Sequence, residues 1–380
     1  MYFRNQFATS TTLLSGKKKT SLKFLFILLL IATTISAQNR HDITFEEYNP
    51  VSTLVHSEHI VTKAKFPFID VHNHQPMARQ NLSELIVAMD TLNMKVMVNL
   101  SGQYGPVLKE MTNNIKSHYP NRFIVFANLD FREFGGNGWT ERAINQLKQD
   151  VINGAKGLKI FKELGLSHKD INGQRIPVDD PRLDPIWSLC ASLGIPVLIH
   201  SAAPIAFWSA FDEKNERWLE MKTYPDRIYG DANPAPWKQI IEEQHRMFKK
   251  HPKTIFINAH FGWLGNDLQQ LSSLMDEIPN MYVEFGAVIA ELGRQPRAAY
   301  KFFEKYQDRI LFGKDSWVPS EYTTYFRVLE TDDEYFPYHK KYHAFWSMYG
   351  MGLPDDILKK IYYKNALKII PGIDASLFPN

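Results

Sequence analysis

Along the chain, short apolar runs alternate with longer stretches in which apolar residues recur every three or four positions. The short runs cover 66–74, 95–100, 123–128, 155–161, 196–200, 254–260, 281–285 and 309–315, and read as strands. Helical spacing follows at 81–92, 108–116, 139–151, 183–193, 237–250, 267–275, 296–306 and 354–370. About eight strand–helix alternations predict an α/β fold, a (β/α)8 TIM barrel. A doubly wound open sheet is the alternative. No Gly-x-Gly-x-x-Gly follows any strand, so that fold's usual dinucleotide signal is missing.

In such a barrel the chemistry sits at the C-terminal strand ends. The first strand ends in Asp70-Val-His-Asn-His74. Strict alternation would project Asp70, His72 and His74 from one face, continuing a face begun by Phe66 and Phe68. The fifth strand ends in His200, the sixth in His260 and the eighth in Asp315. Each alone is a common buried polar residue; their shared placement singles them out. Three imidazoles and a carboxylate suit Zn²⁺ or another divalent transition metal. Such a site lowers the pKa of water to about 7, while a nearby carboxylate takes the proton and an imidazole polarises the electrophile.

Composition narrows the class. The 380 residues are 44% hydrophobic and 22% charged, with a net charge of +3. That is ordinary globular composition and gives no reason to expect a nucleic-acid partner. The expected partners are a small-molecule substrate and, left open by the sequence, a second copy of the chain as a homo-oligomer. Residues 1–37 read as a signal peptide: Lys17, Lys18, Lys19 and Lys23 precede the apolar run 24–32, and Ser36-Ala37 offers small residues for cleavage. The run is short for a membrane span, although an uncleaved anchor is the competing reading. The expectation is a periplasmic or secreted protein with no stable membrane association after cleavage. Residues 38–65 read as an N-terminal arm and 66–380 as the barrel domain. Cys190 is the sole cysteine, so no intramolecular disulfide forms, and its apolar helical surroundings mark it as a small hydrophobe.

Taken together, Asp70-Val-His-Asn-His74, Gly154-Ala-Lys-Gly-Leu-Lys159, Pro196-Val-Leu-Ile-His200, Ala259-His260-Phe-Gly262, Leu311-Phe-Gly-Lys-Asp315 and Lys364-Asn-Ala-Leu367 resemble the amidohydrolase superfamily. The similarity is to the amidohydrolase-related branch, which includes aminocarboxymuconate-semialdehyde decarboxylase and metal-dependent lactonases. The resemblance implies that His72, His74, His200 and Asp315 bind a metal. It also implies that His260 is a catalytic imidazole and that Asp315 doubles as proton acceptor. One ion is expected; a second would require Lys159 to be carboxylated as a bridge, as in some superfamily members. Lys159 is otherwise a cation for a substrate carboxylate or an ordinary strand-end lysine. Lys314 stands where many relatives carry a small or hydroxyl residue, and by alternation it should face away from Asp315.

The stretch after His200 carries Phe207, Trp208, Phe211, Trp218 and Tyr224, and that after the eighth strand carries Tyr325, Phe336, Trp346 and Tyr349. A long loop at this face reads as a lid or pocket wall, against a packing element or dimer contact. The function expected is hydrolysis of a lactone, ester or amide. A non-oxidative decarboxylase (a lyase) is the alternative, and an inactive binding barrel the third reading.

Overall fold

The computed structural model describes residues 43–44, 47–77, 81–230 and 234–379. The expected signal peptide lies outside the described residues. The chain divides into two units, Met1–Ser52 and Thr53–Asn380. In the first, the described residues hold a turn at Glu47, where Thr44 O accepts the amides of Glu47 and Tyr48. Among the described residues, no helix is long and apolar enough to cross a membrane.

The second unit is an eight-stranded parallel sheet in the order β1 to β8. Its strands are β1 Phe68–Asn73, β2 Met94–Asn99, β3 Phe123–Asn128, β4 Gly157–Ile160, β5 Val197–Ile199, β6 Phe256–Asn258, β7 Met281–Glu284 and β8 Ile310–Leu311. The cylinder closes where Phe312 O accepts Val71 N at 2.9 Å and His72 O accepts Asp315 N at 2.7 Å. This is the expected (β/α)8 barrel. Every residue of β1, β3, β5 and β7 is buried, as parallel strands covered by helices require.

The helices follow from their apolar stripes and caps. In Trp237–Lys250 the apolar buried residues Ile240, Ile241, Met247 and Phe248 recur at helical spacing, with Glu243, Gln244 and His245 buried among them. Asp184–Leu193 has a proline in its first turn and stops at Gly194, which takes the left-handed conformation. The last helical run, Asp355–Lys359, Lys360–Lys364 and Asn365–Ile369, seals β8. There Asn365 Nδ2 donates to Gln307 O and Ile310 O, each at 2.7 Å, which accounts for the asparagine in the terminal motif.

Two expectations are corrected. The strands are shorter than the apolar runs, so His74, His200, His260 and Asp315 all lie just past their strands. Strict alternation also fails at the end of β1, where the register with β2 shifts between Asp70 and Asn73. Asp70 makes no contact with the His72 imidazole among the hydrogen bonds and ion pairs of the described residues. Its carboxylate accepts bonds from His72 N, Asn73 Nδ2, Lys314 N and Tyr322 Oη instead.

The candidate metal centre

His72 and His74 converge on one oxygen. Asp315 Oδ1 lies 3.4 Å from His72 Nε2 and 3.4 Å from His74 Nε2. An edge of a tetrahedron with metal–ligand bonds of about 2.0–2.1 Å is roughly 3.3–3.4 Å long. The spacing therefore suits three ligands of one small divalent ion. His72, His74 and Asp315 form a group whose ligand atoms all lie within 4.8 Å of one another.

Both imidazoles are held at the opposite nitrogen. Ser101 Oγ, just after β2, is 2.9 Å from His74 Nδ1. Glu284 Oε1, at the end of β7, is 2.8 Å from His72 Nδ1. A carboxylate that accepts the Nδ1 proton leaves Nε2 as the lone-pair nitrogen, the arrangement that supports a metal-ligating histidine. His72 Nε2 is buried and makes no hydrogen bond, so its acceptor is committed to nothing in the protein. The donor set and this orphaned atom fit a divalent metal.

Glu284 does more than hold His72. Its Oε1 also accepts His260 N at 2.7 Å, and its Oε2 accepts Gly286 N at 2.6 Å. The carboxylate needs room, and two glycines supply it. A Cβ on Gly313 would come within 2.4 Å of Glu284 Oε2, and one on Gly286 within 2.8 Å. The signal in the sequence was an acid at the end of an apolar strand, the position used to pick out Asp315.

His260, Phe261, Gly262 and Trp263 all have positive φ, near 54–60°. Such backbone is costly for side-chain-bearing residues and persists where surroundings impose it. Here Glu284 holds the His260 amide, and Gly286 O lies 2.7 Å from His260 Nδ1. The turn sends His260 Nε2 to 3.3 Å from His200 Nδ1. His200 thus meets the centre through His260 and stands outside the three-ligand group. Its Nε2 is buried and unpartnered like that of His72.

The electrostatics suit neutral imidazoles and an ionised aspartate. Burial holds His72 and His200 well below the usual histidine range and His260 down to about 4. Neutral imidazole is the form that binds metal. Burial works upward on the Asp315 carboxyl, but His72 and His74 beside it prevail and keep it well below the usual carboxylate range. Burial pulls Lys159 down to about 8, opposed by the charges of Asp315, Glu284 and Glu163.

Lys159 points inward, as one of the alternatives required. It is 1% exposed, and its Nζ has no hydrogen-bond partner and lies 5.3 Å from the Phe161 ring. Phe161 in turn lies 5.6 Å from His74. Lys314 faces away, bonding Glu321 at 2.6 Å and Ser316 O at 2.8 Å.

The two aromatic stretches do meet. Tyr224 contacts Tyr342 at 6.1 Å, and the Arg217 guanidinium lies 5.3 Å from the Trp346 ring. Phe207 and Trp208 are buried and pack on Tyr229, so they serve as packing elements. The rings that do flank the histidines, Phe161 and Trp263, come from the ends of β4 and β6. Nothing local in the sequence distinguishes Trp263 from a core aromatic.

A (β/α)8 barrel with an imidazole–carboxylate cluster at its C-terminal mouth defines the metal-dependent class of such enzymes. The chain belongs to the amidohydrolase family, whose model matches residues 69–371. No curated protein sequence matches it. Among solved structures it is similar to a dihydroxybenzoic acid decarboxylase from Polaromonas sp. JS666 with bound manganese and the inhibitor 2-nitroresorcinol. That match has 13% identity, covers 82% of this chain and 99% of the other, and has a TM-score of 0.53. It is also similar to an uncharacterised TIM-barrel protein from Bordetella bronchiseptica (17% identity, 80% and 97% coverage, TM-score 0.50). At these identities the likeness establishes the fold.

Proposed function

We propose that the protein is an exported metal-dependent hydrolase of a small carbonyl substrate, a lactone, ester or amide. The observation that carries this is Asp315 Oδ1 standing 3.4 Å from both His72 Nε2 and His74 Nε2, an ionised carboxylate poised as ligand and base. His72, His74 and Asp315 would hold the ion, with His200 as a further ligand. A bound divalent ion, zinc in this proposal, would supply Lewis acidity and lower the pKa of water to about 7. Asp315 accepts the proton as the nucleophile forms. His260 donates Nδ1–H to Gly286 O and turns its Nε2 lone pair toward His200 Nδ1; it would donate to the reacting carbonyl only after taking up a proton at Nε2. Phe161 and Trp263 flank the site.

A decarboxylase is the second reading. Lys159 favours it, since a buried ammonium without a partner would receive a substrate carboxylate. Product analysis on sugar lactones, amides and aromatic acids decides between them: a ring-opened acid supports hydrolysis, and released CO₂ overturns it. Export rests on the basic residues and apolar run of residues 1–37. N-terminal sequencing of secreted material should begin near Gln38; intact Met1 in a membrane fraction would overturn cleavage.

A further inference from the structure

Asp315, just past β8, has a φ of 79°. Aspartate visits this left-handed backbone more readily than most residues, but holds it only where the surroundings impose it. Before Asp315 the chain is held through its amides: Lys314 N donates to Asp70 Oδ1 at 3.2 Å and Asp315 N to His72 O at 2.7 Å. After Asp315 it is held by the Lys314 side chain. Lys314 Nζ donates to Ser316 O at 2.8 Å and to Ser316 Oγ at 3.1 Å, closing a ring of bonds around the Asp315 backbone.

That ammonium is itself fixed. Lys314 is 1% exposed, and Glu321 Oε2 accepts from Nζ at 2.6 Å, so all three ammonium donors are engaged. The Tyr322 and Tyr325 rings lie 5.2 and 5.9 Å from it. Glu321 ends the turn Pro319–Glu321 that opens the helix Tyr322–Glu330. The same helix reaches β1, where Tyr322 Oη donates to Asp70 Oδ2 at 2.6 Å. One helix start therefore anchors the aspartate loop and the strand that carries the histidines. We propose that Lys314 is a positioning residue for the metal centre: clamped between Ser316 and Glu321, it holds Asp315 in the left-handed backbone that sets Oδ1 3.4 Å from both His72 Nε2 and His74 Nε2. The inference rests on Asp315 as a metal ligand and is independent of which bond the enzyme cleaves.

The test is Lys314→Met, which keeps an unbranched apolar stem and removes the ammonium. The probe is Co²⁺ titrated into the metal-free full chain, since imidazole and carboxylate ligands suit it and its visible spectrum reports their arrangement. Lys314→Met should bind Co²⁺ about 10–100-fold more weakly, the usual effect of losing a ligand's outer partner, and with an altered spectrum. It also strands Glu321 without its cation, so the melting temperature should fall. Lys314→Met combined with Glu321→Leu removes both charges, and exchanging a buried pair for apolar residues is often neutral for stability. The double variant should therefore recover the melting temperature and keep the weakened affinity and altered spectrum. Wild-type affinity and spectrum in either folded variant overturn the proposal. So does failure of both to fold, which makes Lys314 a folding residue. If the wild type binds no Co²⁺, the metal reading fails, and amide exchange of residues 313–318 in metal-free protein tests the clamp by itself. Exchange there about ten-fold faster in the double variant, with the other strands unchanged, supports it; equal exchange overturns it.

Discussion

Glu284 Oε1 lies 2.8 Å from His72 Nδ1, joining the end of β7 to the histidine at the end of β1. The same oxygen accepts the amide of His260. One buried carboxylate therefore sets the tautomer of a candidate ligand and the backbone of the candidate catalytic imidazole. Glu284→Gln replaces an oxygen with a donor where backbone N–H groups already point. Metal affinity should fall about 10–100-fold, the usual effect of losing a ligand's outer partner. Competition against a chelator measures it, and an unchanged affinity would remove Glu284 from this role.

His260 and Asp315 should separate chemistry from metal binding. His260→Ala is expected to retain metal and lose about 10²–10⁴-fold in kcat, the span of one acid–base group. Asp315→Ala should lose at least as much activity and also weaken metal affinity. Asp315→Asn still offers an oxygen but is no competent base, so turnover should collapse even with metal present. Metal content, turnover and circular dichroism are read on the same preparations. Loss of metal in His260→Ala would make His260 a ligand; full turnover in Asp315→Asn would favour decarboxylation.

Elemental analysis should find about one transition-metal ion per chain. Because the ion binds the assembled site and not the unfolded chain, free metal at 100 times its Kd should add about 2.7 kcal/mol of stability. Chelation should accordingly lower the melting temperature. Two ions per chain would make Lys159 a carboxylated bridge. A metal-free preparation with full activity would defeat the metal assignment altogether.

The segment 53–65 should be latched in a pH-dependent way. His59 Nδ1 lies 2.5 Å from Asp333 Oδ1, and Arg327 Nε bonds the other oxygen at 2.7 Å. The hydrogen bond to Asp333 raises the His59 pKa above 6.5, while burial of Asp333 is outweighed by His59 and Arg327, which keep it ionised. A raised histidine pKa means the contribution is complete below 6.5 and lost as pH rises through the folded value. Amide exchange of residues 53–62, corrected for its intrinsic pH dependence, should be faster at about pH 9 than at about pH 6. His59→Gln should flatten the difference; if it does not, the latch is not His59.

Periodicity alone determined the barrel, because parallel strands buried on both sides must be short and apolar and their covering helices must be amphipathic. It also marked His72, His74, His200, His260 and Asp315, since polar residues that end apolar runs stand out locally. Tertiary structure decided what those residues do to one another. Asp70 is equivalent to His72 by spacing, yet its carboxylate accepts the Tyr322 hydroxyl while the His72 imidazole meets Glu284. His260 reaches His200 through a left-handed turn that no spacing rule contains. Glu284 acquires its meaning from His72 and His260, both far away in sequence, and part of the space that admits it is made by Gly313 on another segment. Local pattern records which side chains leave water; which of them then share a proton or an ion depends on distances that only the closed barrel sets.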